Sequence, residues 1–97
     1  MADEGLVRVR IPSPLRPLTG GQAEVAAPAG TLSAVIEALD KTYPGLKGRL
    51  CEPDGALRRS VNVFVNEEDV RFLQGLDTEL AGGARVSILP AVAGGAA

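Results

Sequence analysis

The chain closes on Arg85-Val86-Ser87-Ile88-Leu89-Pro90-Ala91-Val92-Ala93-Gly94-Gly95-Ala96-Ala97. After Pro90 there is no charge, and after Val92 no bulky side chain. Such a run is poorly built for packing and well built for threading into another protein's active site. Glycine has no Cβ, so Gly94 and Gly95 pass a narrow channel and adopt backbone angles closed to other residues. The stretch from Ala91 to Gly95 extends about 16 Å at roughly 3.3 Å per residue. Pro90 stiffens its exit from the preceding strand-like run. Read alone, the glycine pair is more often an unpacked chain end.

Little else in the chain could do chemistry unaided. There is one cysteine, Cys51, and no histidine. An internal disulfide is therefore excluded. So are Ser-His and Cys-His nucleophile pairs, and a structural zinc site has no ligand set. Cys51 stands before Glu52-Pro53, with only Arg49 as a basic neighbour in sequence, so it reads as a structural thiol. Glu67-Glu68-Asp69 is the densest acidic run. Adjacent carboxylates in a turn point in different directions, which suits solvation better than metal binding. These absences argue against a stand-alone enzyme with a cofactor of its own.

The elements that must carry the tail follow from periodicity. Ninety-seven residues make one small domain, expected over residues 1–90, with a reactive tail over 91–97. Val7, Val9 and Ile11 alternate with Arg8 and Arg10, which predicts a half-buried strand over Leu6 to Ile11. Pro12, Pro14 and Pro17 then break pairing, Thr19-Gly20-Gly21 marks a turn, and Gln22 to Ala26 reads as a weak second strand. Thr31 is placed to cap a helix whose apolar side is Leu32, Val35, Ile36, Leu39 and Tyr43, and Pro44 ends it. Leu46 and Leu50 suit one short helical turn, and Glu52-Pro53-Asp54-Gly55 a turn. Val61 to Val65 is the clearest strand. Asn66 to Asp69 reads as a polar turn, Val70-Arg71-Phe72 as a short strand, and Gly82-Gly83 as the end of a helical turn. Arg85 to Leu89 is the last strand, with Val86 and Ile88 facing in.

This order puts one main helix on one face of a mixed sheet, an α+β arrangement that suits a β-grasp fold. The pattern alone also allows a split βαβ arrangement, although that normally needs a second full helix. The other sheet face is left to solvent or a partner. Phe64, Arg8, Arg10 and Arg85 are the candidates for a partner surface there. A net charge of −2 gives no field for nucleic acid. No apolar run approaches the roughly 20 residues of a membrane span. The acidic start Asp3-Glu4 lacks the order of a secretory signal, so the chain reads as a cytoplasmic monomer.

Three stretches carry a resemblance. They are Arg16-Pro17-Leu18-Thr19-Gly20-Gly21-Gln22, Val65-Asn66-Glu67-Glu68-Asp69-Val70-Arg71-Phe72, and Ile88 through Gly95. Together they resemble the ubiquitin-like sulfur carriers, the superfamily of the molybdopterin-synthase small subunit and the thiamine sulfur carrier. Within it the similarity is greatest to the cysteine-biosynthesis carriers of the CysO type, and it runs from about Leu6 to Gly95. The resemblance implies that the carboxylate of Gly95 is the reactive group. An E1-like activating enzyme would adenylate it with ATP and install sulfur as a thiocarboxylate. A pyridoxal-phosphate enzyme similar to cysteine synthase would accept the sulfur, and a JAMM zinc metalloprotease would release the cysteine. The carrier itself would bind no cofactor.

The chemistry fits a free terminus. An α-carboxylate has a pKa of about 3.3–3.7, so it is ionised and must become an anhydride before sulfur can attack. Here the family pattern is extended by Ala96-Ala97, which turns the Gly95 carboxyl into an amide carbonyl. The expectation is a precursor cut between Gly95 and Ala96. Other readings also stand at this point: a sulfur donor for molybdopterin, thiamine or a secondary metabolite, a ubiquitin-like modifier joined to lysines, or an interaction module with an inert tail.

Overall fold

The computed structural model describes residues 5–90. Strand β1 (Leu6–Arg10) starts the sheet and is followed by a 3₁₀ turn over Ser13–Thr19. β2 (Glu24–Pro28) returns antiparallel to β1, with Val9 opposite Val25 and Arg10 opposite Glu24. A two-residue strand, β3 (Gly30–Thr31), leads into helix α1 (Leu32–Thr42). Thr31 caps α1 as expected, its side chain accepting from the Ala34 amide at 3.1 Å. Helix α2 (Leu46–Leu50) follows at once, and Asp40 Oδ1 accepts from the amides of Gly45 and Lys47, each at 3.1 Å. Then come β4 (Val61–Val65), β5 (Glu68–Asp69), 3₁₀ turns at Val70–Phe72 and Gly75–Asp77, β6 (Glu79–Leu80) and β7 (Arg85–Pro90).

The main sheet has the order β2-β1-β7-β4-β5, with β1 and β7 parallel and the remaining neighbours antiparallel. The last strand therefore lies in the middle of the sheet. One face carries Val7, Val9, Val25, Val63, Val86 and Ile88, all buried against Leu32, Val35, Ile36 and Leu39 of α1. Leu46 and Leu50 are fully buried and extend this aliphatic core. One helix laid across a mixed sheet whose central pair is parallel is the β-grasp arrangement expected from the sequence.

Several local expectations are corrected. The second strand lies two residues further on than Gln22–Ala26, so Pro28 is its last residue at the sheet edge, where no partner strand needs its missing N–H. The proline-rich segment folds into a 3₁₀ turn, because the fixed φ of proline suits that geometry as well as an irregular loop. Val70-Arg71-Phe72 is 3₁₀, held by Asp69 Oδ1 accepting from the Arg71 amide at 2.8 Å. Glu68 and Asp69, read as turn, pair with Val65 and Phe64 as β5. Glu79-Leu80 is no helical turn but β6, paired with β3. Asn66 and Glu67 alone make the hairpin turn, at φ 50° and 77°.

Candidate functional site

The site is built around the exit of the tail. β7 is flanked by β1 on one side and β4 on the other, so the chain leaves the sheet from an anchored central strand. Its last rungs set Leu89 opposite Asn62 and Pro90 opposite Val61. Arg71 holds the start of β4 there, donating to Asn62 Oδ1 at 2.6 Å and to the Val61 carbonyl at 2.8 Å. Ala91, Val92, Ala93, Gly94, Gly95 and Ala96, the expected tail and processing residues, lie outside the described residues. What the structure supplies is the launch point and its surroundings.

The open face brings together the four residues expected to form a partner surface. Arg8 and Arg85 are register neighbours across β1 and β7. On the next outward rung Arg10 faces Ser87, and Ser87 faces Phe64 on β4. Phe64 is half-buried, and Asp69 is its partner on β5. Arg8 is engaged, with Nη1 at 3.4 Å from Glu24 Oε1. Leu89 is an exposed apolar residue on the same face. Its position follows from strand parity, since Val86 and Ile88 point inward. Phe72 is the most exposed large apolar side chain described, at 87%. Phe72 ends one of the stretches that carry the resemblance, but the segment reads as a strand in sequence and its exposure was not expected.

Two grooves flank Pro90. One, of about 300 Å³, is lined by Arg10, Pro12, Arg16, Leu89 and Pro90 among others. The other, of about 240 Å³, includes Pro12, Arg49, Val61 and Pro90. The Ser13–Thr19 turn supplies their common wall, and Arg16 Nε ties it to the residue that follows β1 by donating to the Ile11 carbonyl at 3.1 Å. Sequence reading singled out Arg10 here but not Arg16 or Arg49.

The remaining reactive groups have structural employment. Cys51 is buried, and that burial pushes its thiol up, with Lys47 and Arg58 opposing. A thiol held protonated is a poor nucleophile. Lys47 donates to Glu37, and this hydrogen bond holds its ammonium above the usual lysine value. Asp69 is spent on the Arg71 amide and lies 3.8 Å from the Arg71 guanidinium. Among the described residues, no group of three acidic or cysteine side chains is placed to hold a metal. No described helix is long and apolar enough to cross a membrane.

Residues 9–95 match the model of the ThiS family. The sulfur carrier protein CysO of Mycobacterium tuberculosis (strain ATCC 25618 / H37Rv) is 55% identical over 91 residues, covering 92% of this chain and 98% of that protein. The crystal structure of Mycobacterium tuberculosis CysO superposes with a TM-score of 0.85 at 53% identity, covering 89% of this chain and 99% of that one. The Amycolatopsis orientalis BexX/CysO complex also gives 0.85, at 44% identity, covering 91% of this chain and 98% of that chain.

Proposed function

The chain belongs to the ThiS family of ubiquitin-like sulfur carriers, and on that premise we propose that it carries sulfur on the carboxyl group of Gly95, most directly for cysteine biosynthesis. The observation that carries this reading is the extent of the family match, which continues past the folded sheet and ends at residue 95, the second glycine of the pair. A family likeness confined to the core would speak for the fold alone.

In this reading the chain supplies reach and recognition, and its partners supply catalysis. Ala96 and Ala97 are removed by a protease of the JAMM zinc type, which frees the Gly95 carboxylate. In the activating enzyme a carboxylate oxygen attacks the α-phosphorus of ATP, and pyrophosphate leaves. A sulfur nucleophile then adds at the acyl carbon and expels AMP, leaving a thiocarboxylate. A pyridoxal-phosphate enzyme of the cysteine-synthase kind takes the sulfur next. The carrier contributes no base or nucleophile: it has no histidine, and Cys51 is buried as a thiol. The open face with Phe64, Arg8, Arg10, Arg85 and Leu89 is the surface a partner covers while Gly94 and Gly95 occupy its active site. The complex of BexX with CysO supports a life spent visiting partners.

The test is the intact mass of the protein from its native cells, purified without added thiols. Loss of both alanines with one oxygen replaced by sulfur is the expected result. A population ending only at Ala97, even under sulfur starvation, overturns the proposal.

A further inference from the structure

The reach of the tail limits where a partner can sit. From Pro90 to Gly95 the chain spans about 16 Å when fully extended. A reacting atom at Gly95 therefore lies within that distance of Pro90, and a partner that receives the tail must approach the face around Pro90. The partner's rim must therefore complement the chemistry of that face.

Three arginines ring this exit. Arg10 and Arg16 line the groove on one side of Pro90 and Arg49 the groove on the other. Among the described residues neither Arg10 nor Arg49 enters an ion pair. Arg16 commits only Nε, to the Ile11 carbonyl. The nearest acid by register is Glu24, opposite Arg10, and its carboxylate contacts Arg8. The chain as a whole carries a net −2, so this cluster runs against the overall charge. Leu89 and Pro12 add exposed or half-exposed apolar surface between the arginines. Guanidinium groups set around an apolar floor favour planar carboxylates over a neutral surface.

We infer that Arg10, Arg16 and Arg49 form a cationic collar around the tail exit that docks on an acidic rim at the mouth of the partner's active-site channel. This rests on the carrier reading above. The collar speeds encounter and sets the orientation in which the tail enters, while the chemistry inside the channel is unaffected. Contacts of this kind sit at the edge of an interface and are screened by salt.

The experiment uses the chain ending at Gly95 and its cognate adenylating enzyme, followed by ATP–pyrophosphate exchange from low to high salt. Arg10→Glu, Arg16→Glu, Arg49→Glu and the triple variant are compared with the unchanged carrier. Each reversal is expected to lower kcat/KM roughly fivefold at low salt through KM, with kcat kept. Added salt lowers kcat/KM of the unchanged carrier and raises that of the triple variant, because attraction is screened in one and repulsion in the other. Arg10→Glu/Arg49→Glu is the check on folding, since neither side chain is hydrogen-bonded among the described residues. Equal kcat/KM and equal salt slopes, with the unchanged carrier still adenylated, overturn the collar and leave the carrier function standing. A rise in kcat/KM on reversal also overturns it, because the collar then holds the chain's own terminal carboxylate. No adenylation of the unchanged Gly95-ending chain overturns the carrier reading, and the collar with it.

Discussion

Replacing Thr19 by valine tests how the tail exit is built. Thr19 ends the 3₁₀ turn that walls both grooves, and it is fully buried. Its hydroxyl lies 2.8 Å from the Gln22 carbonyl and 3.1 Å from the Arg16 carbonyl. A hydroxyl has one proton, so it serves one of them at a time. Gln22 answers by donating its side-chain amide to the Thr19 carbonyl at 3.0 Å. The chain between them passes through Gly20 and Gly21 at φ 65° and 86°, a conformation that suits glycine. Thr19→Val keeps the shape and removes the donor. One lost hydrogen bond costs about 0.5–1.5 kcal/mol, and the Arg16 carbonyl keeps the Gly21 amide as a donor at 2.8 Å. The expected loss is therefore about 0.5–1.5 kcal/mol. A domain of this size has a total of roughly 5–15 kcal/mol, so the change is measurable. It corresponds to a fall in Tm of about 2–12 °C, read by circular dichroism, with a lower urea midpoint and an unchanged m-value. A Thr19→Val protein within a few tenths of a kcal/mol of the original would refute the account of this turn.

Three further outcomes follow from the packing and the titrating groups. Leu50→Ala empties a site at the centre of the core beside Val9, Val63 and Ile88 and is expected to cost about 2–5 kcal/mol, whereas Leu50→Met stays under about 1.5 kcal/mol in urea melts. Glu67 holds φ 77° in the hairpin turn, so Glu67→Gly should raise stability by about 0.5–1 kcal/mol, as relief of the left-handed strain exceeds the added chain entropy. Glu67→Ala should give no such gain. The Cys51 thiol is pushed up by burial, so the unfolded chain releases its proton first, near the ordinary value of about 8.5. Its contribution to stability is complete below that pH and is lost as pH rises through the higher folded value. Urea melts across this range should show less pH dependence for Cys51→Ala, and thiol-labelling of the native protein should be slow until denaturant is added.

The main strands and helix were legible because their cause is local. Period-two alternation in Leu6–Arg10 and Val61–Val65 and the spacing of Leu32, Val35, Ile36 and Leu39 give the same elements in the structure. Thr31 was legible as a cap for the same reason. The short pieces were not. Glu79-Leu80 becomes a strand only because Gly30-Thr31 lies beside it, and Glu68-Asp69 only because Asn66 and Glu67 turn the chain back on β4. Phe64 could be placed on the open face by parity, but its neighbours there, Asp69 on β5 and Ser87 on β7, come from two other strands.

By itself the sequence determined the chemistry on offer: a chain with no histidine, one isolated thiol, and a Gly94-Gly95 pair on an uncharged tail after a strand. Composition and adjacency settle such matters without any fold. Tertiary structure alone decided that this strand is the central one and that Arg10 and Arg16 line a groove on one side of Pro90 and Arg49 the groove on the other. That arrangement arises because β1 pairs in parallel with β7 while Leu46 and Leu50 of α2 pack into the core. Sheet register and helix packing are set by which apolar faces bury each other across the whole chain, and no local window of residues contains that information.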